Sequence, residues 1–290
     1  MSRSHSLLLL FVLAVLATAC GAAPEGEDLG TTSEAITNGD EDSDDPAVVA
    51  LLVQGQVECT GVLVTKSIVV TAAHCVDPSP PDSVYFGAHP GAKGSGGTTI
   101  KVADAMAHPD FDEDSLENDI AVIALASKAP VAPMKIYADS FDDSFKTLDV
   151  RLVGFGATGQ GDTGASLRKR SGDTKIDSWT DTTFKFHAQP SQTCNGDSGG
   201  PAFATVDGEE VVIGITSSGD SDCKSHATDT RIDAYADFIQ GYAKKYSATT
   251  HPGGVQNSGC SSSPRAPTSS GFALFAAAAL ALAWKRRRAS

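Results

Sequence analysis

Residues 194–201 read Cys-Asn-Gly-Asp-Ser-Gly-Gly-Pro, which places one hydroxyl, that of Ser198, among small residues. Glycines let the backbone bend tightly and let a substrate approach closely. A serine hydroxyl is a poor nucleophile until a neighbouring base takes its proton. The stretch therefore predicts a nucleophilic serine, provided that a histidine and a carboxylate elsewhere in the chain can activate it.

Two other motifs contain those groups. His74 lies in Thr-Ala-Ala-His-Cys, and Asp119 lies in Asn-Asp-Ile-Ala-Val-Ile-Ala-Leu. With Ser198 they stand in the order His, Asp, Ser. The three motifs together resemble the trypsin/chymotrypsin family of serine proteases, and the resemblance covers roughly residues 36–246.

The resemblance implies peptide-bond hydrolysis through an acyl-enzyme. His74 would act as the general base, Asp119 would orient the imidazole and stabilise its charged form, and Ser198 would attack the peptide carbonyl. The main-chain N–H groups of Gly196 and Ser198 would form the oxyanion hole.

The apolar pattern predicts mostly β-structure. Short segments rich in Val and Ile are separated by Gly, Pro, Asp and Lys, without a long helical period. The last segment, Arg231–Tyr246, predicts an amphipathic helix. The resemblance implies an all-β fold of two packed antiparallel β-barrels with a C-terminal helix, and a catalytic cleft between the barrels. The predicted strands are Ala47–Val53, Gly61–Val64, Ser67–Thr71, Ser83–Phe86, Thr98–Ala103, Ile120–Leu125, Asp149–Val153, Thr182–His187, Pro201–Thr205 and Glu210–Ser217.

Composition argues against a nucleic-acid partner. The 290 residues carry a formal net charge of -14, and no basic stripe exists to neutralise phosphates. The acidic stretches 40–45 and 110–114 are expected to be solvated turns, since the first fails the calcium-loop pattern. Residues 154–159 fit Gly-x-Gly-x-x-Gly, but a loop follows instead of the helix that a dinucleotide site needs; they resemble the family's Gly-aromatic-Gly turn. No cofactor and no metal ion are expected.

The N-terminal residues predict targeting and processing. Residues 1–19 have the charged start, apolar run and small residues of a secretory signal peptide. Cys20 follows the predicted cut, and both lipidation of this cysteine and ordinary signal cleavage fit the residues before it. Residues 20–35 offer little to bury and predict a disordered pro-segment.

The pro-segment ends at Ala35, and Ile36 begins a sequence that resembles the start of mature trypsin-like enzymes. In that family the freed Ile ammonium group moves inward and pairs with the aspartate before the nucleophile, here Asp197. A buried ion pair of this kind forms only after cleavage and can switch the oxyanion loop into shape. Because Ala35 precedes the cut, the activating protease is not expected to be trypsin-like.

Six cysteines in a secreted chain predict disulfides, but the sequence leaves their connectivity open. The resemblance pairs Cys59 with Cys75, bracing the loop of the predicted base. It pairs Cys194 with Cys223, bracing the loop of the predicted nucleophile. Bridges of this kind stabilise by roughly 2 to 4 kcal/mol each and imply an oxidising compartment.

Three residues would shape the specificity pocket. Gln192, six residues before Ser198, takes the family's position at the base of the pocket. Trypsin proper has a carboxylate there to pair with a substrate Arg or Lys, so Gln192 predicts a preference for uncharged P1 side chains. Gly219 and Ala227 would leave the pocket walls open.

The C-terminal residues predict a separate tail. Residues 248–270 are rich in Ser, Thr, Gly and Pro and predict a flexible linker. Residues 271–290 join a short apolar run to an arginine-rich end, and with Cys260 as the processing point they resemble the MYXO-CTERM sorting tails of myxobacterial surface proteins. A plain weak membrane anchor fits the same residues, so cleavage of the tail stays open.

The sequence therefore predicts a trypsin-like serine protease domain at 36–247, in a secreted or surface-displayed endopeptidase. Its expected partners are protein or peptide substrates, an activating protease that cuts after Ala35, and sorting or membrane machinery. The alternative function is a catalytically inactive binding module that keeps the fold at the cell surface.

Overall fold

The computed structural model describes residues 36–91, 96–156, 168–187 and 190–249. The predicted signal peptide, pro-segment and sorting tail, with Cys20 and Cys260, lie outside the described residues. Of the predicted linker, only residues 248 and 249 are described, and they end the C-terminal helix.

The described residues form thirteen β-strands and one α-helix, which confirms the predicted all-β class. In chain order the elements are β1 (Asp40–Glu41), β2 (Val48–Val53), β3 (Gln56–Leu63), β4 (Ile68–Thr71), β5 (Ser83–Phe86), β6 (Thr98–Ala107), β7 (Ala121–Leu125), β8 (Asp149–Gly154), β9 (Arg170–Trp179), β10 (Thr183–His187), β11 (Pro201–Val206), β12 (Glu209–Gly219), β13 (His226–Arg231) and α1 (Ala236–Thr249).

Strands β2 to β7 close an antiparallel N-terminal barrel. The strand order is β2-β3-β4-β7-β6-β5, and β5 pairs with β2 to complete the circle. Val, Ile, Leu and Ala fill β2, β4 and β7, which are buried along almost their whole length. Because β-branched side chains pack well on a pleated, buried surface, the apolar runs that predict these strands also form the core of this barrel.

Strands β8 to β13 close an antiparallel C-terminal barrel in the order β8-β9-β10-β13-β12-β11. The short β1 extends this barrel by pairing with β9. Its core is aromatic: Phe145, Phe184 and Phe186 are buried together, and the rings of Phe141 and Phe145 stack with centroids 3.9 Å apart. Two closed six-stranded barrels followed by a helix confirm the fold that the resemblance implies.

The helix α1 lies against the N-terminal barrel. Ile239 and Tyr242 belong to the apolar cluster that contains the core of that barrel. The hydroxyl of Tyr242 donates a hydrogen bond to Asp104 at 2.9 Å. Among the described residues, no helix combines the length and the apolar character needed to cross a membrane.

Three strands are missed by the sequence prediction, and the helix begins later than predicted. Strands β1, β9 and β13 consist mostly of polar residues, so no alternating apolar pattern marks them. The helix predicted from Arg231 begins at Ala236, because Arg231 ends β13. The next residue, Ile232, continues the strand pairing by donating its main-chain N–H to the carbonyl of Ile213 at 3.1 Å.

The prediction of a solvated turn is wrong for two residues of the stretch 40–45. Asp42 and Asp45 are buried. Arg151 donates two hydrogen bonds to the Asp45 carboxylate, and the buried Lys169 donates to the Asp45 carbonyl. Burial raises the pKa of Asp42 to about 6. The partners come from β8 and the segment before β9, so the stretch itself contains no sign of them.

Candidate active site

His74 and Asp119 come together because β4 and β7 are neighbouring strands. Thr71 of β4 pairs with Ala121 of β7, so the segment after β4 meets the segment before β7 at one end of the barrel. His74 lies in the 3₁₀ turn Ala73–Cys75, which follows β4. The antiparallel register therefore places the imidazole beside the carboxylate.

The Asp119 carboxylate holds His74 by two contacts. Oδ2 of Asp119 lies 2.8 Å from Nδ1 of His74, and Oδ1 accepts the main-chain N–H of His74 at 3.0 Å. The Ser217 hydroxyl donates to Oδ2 at 2.7 Å. Asp119 has no exposed surface, so these donors take the place of water around the anion. Because Nδ1 donates to Asp119, Nε2 carries the lone pair that can accept a proton.

The turn that contains Ser198 packs against the loop of His74. The main-chain N–H of Thr60 donates to the carbonyl of Ser198 at 2.8 Å, and Sγ of Cys75 lies 3.6 Å from the same oxygen. Gly199 has a φ of +80°, and a Cβ there would overlap the Thr71 side chain, so only glycine permits this approach. The two barrels therefore bring Ser198 and the loop of the predicted base into one cleft.

In the described chain, no hydrogen bond joins the Ser198 hydroxyl to the His74 imidazole, whereas the His74–Asp119 pair is joined. In enzymes without a bound substrate, the contact between nucleophile and base is often long and shortens when the substrate binds. The structure thus contains a histidine held in one orientation by Asp119 and a serine on the facing turn.

The main-chain amides of Gly196 and Ser198 donate to no other described residue. Between them, the N–H of Asp197 donates to the carbonyl of Cys194 at 3.0 Å. The carbonyl of Gly196 accepts the Thr60 hydroxyl at 2.9 Å, which fixes the orientation of that part of the turn. Two unpaired amides beside a serine are the donors that an oxyanion requires.

Asp197 is fully buried and accepts three main-chain hydrogen bonds. The donors are the N–H groups of Ile36 at 3.2 Å, Gly156 at 2.8 Å and Cys194 at 2.9 Å. Burial raises the pKa of Asp197 to about 6, although these hydrogen bonds oppose the change. Ile36 is also fully buried. The structure therefore brings the residue after the predicted cleavage site to the residue before Ser198.

Gly154 and Gly156 make room for the Asp197 carboxylate. A Cβ on Gly156 would lie 2.6 Å from the carboxyl carbon of Asp197, and one on Gly154 would overlap the same carboxylate. Phe155, between the two glycines, is buried in the core. This part of the Gly-x-Gly-x-x-Gly pattern therefore has a packing role, while its last three residues lie outside the described residues.

Two disulfides brace the loops of the site, with the pairs that the resemblance implies. Cys59 is bonded to Cys75, and Cys194 is bonded to Cys223. The sulfur atoms of Cys59 and Cys75 and a ring nitrogen of His74 lie close enough together for a metal ion. Because the two sulfurs are joined to each other, they offer no thiolate ligand, and the cluster does not fit a metal.

A cavity of about 220 Å³ lies beside Ser198. Gly219 lines this cavity, and across the β12–β13 ladder it pairs with Ala227. Gln192 and Ala227 are fully buried and are not among the lining residues. The residue after Gly219, Asp220, lines the cavity instead.

Sequence reasoning missed Thr60 and Asp220. Thr60 is fully buried in β3, and its hydroxyl both donates to Gly196 and accepts the main-chain N–H of Phe155 at 3.0 Å. The available signal was a threonine between Cys59 and glycine in a predicted apolar region. For Asp220 the available signal was an acidic residue shortly after the predicted strand Glu210–Ser217, next to the predicted pocket residue Gly219.

Comparisons with known proteins agree with this geometry. Residues 36–239 match the family described as Trypsin. Similar proteins include a trypsin from Saccharopolyspora erythraea, 30% identical over 68% of this chain and 92% of the relative. A chymotrypsin from Phaedon cochleariae is 30% identical over 64% and 72%, and trypsin delta from Drosophila erecta is 27% identical over 73% and 90%. The matched range includes every strand of both barrels and the start of the C-terminal helix. The chain therefore belongs to the trypsin family of serine endopeptidases.

Proposed function

We propose that the protein hydrolyses peptide bonds in protein or peptide substrates, with Ser198 as the nucleophile, His74 as the general base and Asp119 as the residue that orients the base. The observation that supports this most is the buried Asp119 carboxylate, whose Oδ2 lies 2.8 Å from Nδ1 of His74. This contact leaves Nε2 as the basic nitrogen, and the Ser198 turn packs on the loop that holds it.

In the proposed reaction, Nε2 of His74 takes the Ser198 proton while Oγ bonds to the substrate carbonyl carbon. The imidazolium then gives this proton to the leaving amine as the C–N bond breaks, which leaves an acyl-enzyme ester. Water, deprotonated by the same nitrogen, attacks the ester and releases the acid product and the free serine. Asp119 stabilises the imidazolium, and its burial strengthens that interaction.

The amides of Gly196 and Ser198 are the proposed donors to the tetrahedral oxyanion. Both lack a partner in the described chain, so no hydrogen bond has to break before they bind the substrate oxygen. Donors that are already in place need no reorganisation during the reaction, and the loss of one typically lowers kcat by roughly 100- to 1000-fold.

Cleavage after Ala35 is proposed to complete the site. The nitrogen of Ile36 lies 3.2 Å from Oδ2 of Asp197, and cleavage would convert it into an ammonium group. An ion pair with a charge-assisted hydrogen bond would then replace a neutral donor in a fully buried position. Because Asp197 lies between the two proposed oxyanion amides, this contact would hold the turn that presents them.

The proposed P1 preference is for uncharged side chains. Gln192, at the family's base position, carries no charge, and its amide donates to Asp220 at 2.7 Å. The carboxylate that trypsin has at this position is therefore replaced by an uncharged amide in the described chain. A peptide library cleaved mainly after Arg or Lys would contradict the preference.

The enzyme is proposed to act outside the cytoplasm, either secreted or displayed at the cell surface. The predicted signal peptide supports this, and so do the two disulfides, which persist in oxidising compartments. The C-terminal tail is proposed to be a sorting signal processed at Cys260. Antibodies against the tail and against the protease domain test this, since a mature protein that retains its tail would favour the plain anchor.

A fluorophosphonate probe tests the proposed function, because it labels serines whose hydroxyl is activated. We expect label on Ser198 once the Ala35–Ile36 bond is cut, and none in the S198A variant. Ser178 is exposed on β9, so S178A is the matched control and should label like the parent. Correctly cut protein that stays unlabelled would contradict the proposal and support the inactive binding module.

A further inference from the structure

Asp220 is one of the residues that line the cavity beside Ser198. It follows the last residue of β12. Its Oδ1 accepts three hydrogen bonds: from the Gln192 amide at 2.7 Å and from the main-chain N–H groups of Ser225 and His226 at 2.9 Å each. These contacts hold the carboxylate between the family's base position and the loop that leads into β13.

The second carboxylate oxygen of Asp220, Oδ2, accepts fewer hydrogen bonds than Oδ1. Oδ2 accepts one hydrogen bond in the described chain, from the main-chain N–H of Lys224 at 2.9 Å. A carboxylate has about four acceptor positions, two on each oxygen. Oδ2 therefore retains capacity for a donor supplied by a substrate, while Oδ1 is fully used.

The charge of Asp220 has no cationic partner within the described residues, since each of its hydrogen bonds comes from an uncharged N–H group. Burial opposes its ionisation, but the hydrogen bonds from His226, Lys224 and Ser225 outweigh it and hold the pKa of Asp220 well below its usual range. The lining of the cavity thus includes a side chain that is anionic at neutral pH.

Gln192 lies behind this carboxylate and does not reach the cavity. Its side chain is fully buried, its amide N–H is committed to Asp220, and its Oε1 has no hydrogen-bond partner among the described residues. A P1 side chain that enters the cavity therefore meets Asp220 and not Gln192.

We propose that Asp220 determines P1 specificity by accepting a hydrogen bond from an N–H group of the P1 side chain. The inference rests on the proposed function. Glutamine, asparagine, tryptophan and neutral histidine are the uncharged side chains with such a donor, and lysine and arginine are charged ones. An apolar side chain would displace water from the anion without replacing its hydrogen bonds, which is unfavourable. A P1 carboxylate would be repelled.

The test uses the processed enzyme and peptides that differ only at P1, with Gln, Met, Arg or Glu. Met matches Gln in length but has no N–H group. We expect kcat/KM for Gln to exceed that for Met by about 10-fold or more, because a missing donor leaves a buried acceptor unpaired. The ratio between two substrates on one sample does not depend on the fraction of folded enzyme.

The D220N variant is the decisive change. The three donors to Oδ1 would hold the amide oxygen at that position, so Nδ2 would replace Oδ2, lose the hydrogen bond from the Lys224 N–H and present a donor to the substrate. We expect the Gln-to-Met ratio to fall to about 1 and cleavage after Glu to rise relative to Met. The matched control is D222N, which removes a charge from the same loop at an exposed residue outside the cavity lining. It should keep the parental ratio.

The two donor classes are separated by the Arg and Gln peptides. A preference for Arg that D220N removes supports Asp220 and replaces the proposed uncharged preference, whereas a preference for Gln that D220N removes supports both. Enzyme that carries the fluorophosphonate label but cuts after Met as well as after Gln and Arg, with ratios unchanged in D220N, would overturn this inference alone. Protein without label and without cleavage would overturn the proposed function and the inference with it.

Discussion

The N-terminal barrel builds its part of the site from its own strand ends, whereas the C-terminal barrel relies on chain from outside it. His74 and Asp119 are joined at the neighbouring ends of β4 and β7. The Ser198 turn accepts a hydrogen bond from Thr60 of the other barrel. Asp197, in the same turn, accepts a hydrogen bond from Ile36, which precedes every strand. The half of the site formed by His74 and Asp119 is therefore local, and the half formed by the Ser198 turn and Asp197 depends on long-range contacts.

This difference indicates where activity can be controlled. The His74–Asp119 contact involves no residue near the predicted cleavage site, so we expect cleavage to have little effect on it. Asp197, by contrast, lies fully buried with only neutral donors around its carboxylate. On our proposal, cleavage acts on the C-terminal half by giving that carboxylate a charged partner.

The largest effect is expected from breaking the local half. In D119N the amide cannot hold the His74 tautomer that leaves Nε2 basic, so kcat should fall about 10⁴-fold while the protein stays folded. S217A removes one donor to the same carboxylate and should lower kcat only about 10-fold. Steady-state kinetics of both variants measure this. A D119N enzyme within 10-fold of the parent would contradict the assignment.

The next effect is a pH dependence confined to the long-range half. In the uncut chain the pKa of Asp197 is about 6, above the ~3.9 of an unfolded aspartate. The folded state therefore binds the proton more tightly, and its stability is complete below pH ~4 and falls as pH rises through 6, by about 3 kcal/mol. Cleavage should lower this pKa through the Ile36 ammonium group and abolish the loss.

Urea unfolding of cut and uncut S198A protein between pH 4 and 8 measures this difference, and the S198A change prevents self-digestion. The buried Asp42, whose pKa is also raised to about 6, is present in both forms and cancels in the comparison. Parallel pH profiles for the two forms would show that Ile36 gains no charged contact with Asp197.

A smaller effect is expected where the two halves meet. T60V keeps the shape of the side chain but removes the hydroxyl bonded to Gly196 and Phe155, so the free energy of unfolding should fall by about 2 kcal/mol. Because Gly196 is a proposed oxyanion donor, kcat should fall as well. T174V removes a buried hydroxyl of β9 that bonds to His187 and should lower stability without changing kcat. Equal kcat values in T60V and T174V would show that the Thr60 hydroxyl does not contribute to catalysis.

The smallest effect contrasts the two buried acids. Asp119 has its donors, but within the described residues the side chain of Thr216 is the one group that favours ionisation of Asp229, in β13. Burial raises the pKa of Asp229 well above its usual range, so its folded state loses stability as pH rises. D229N should raise the free energy of unfolding by about 1 kcal/mol at pH 8 and change it little at pH 4. Thermal unfolding at both values checks this, and a loss of stability at pH 8 would contradict it.

Much of the fold was predictable because its signals are local. The Val- and Ile-rich runs of β2, β4 and β7 give the apolar pattern that predicts these strands, and the same side chains form the core of the N-terminal barrel. The polar strands β9 and β13 carry no such pattern, since they are stabilised by the ladders of their neighbours. The burial of Asp42 and Asp45 was also hidden, because Arg151 and Lys169 come from distant segments.

By itself, the sequence determined the nucleophile motif, the candidate base and its carboxylate, because each lies in a short stretch whose residue types suit one chemistry. Only the tertiary structure decided which residues line the cavity beside Ser198. Gln192 and Asp220 lie on different loops, and the buried Gln192 amide donates to the Asp220 carboxylate; the main-chain N–H groups at 224–226 also hold this carboxylate in place. Contacts of that kind depend on how the loops pack, and no local pattern encodes them.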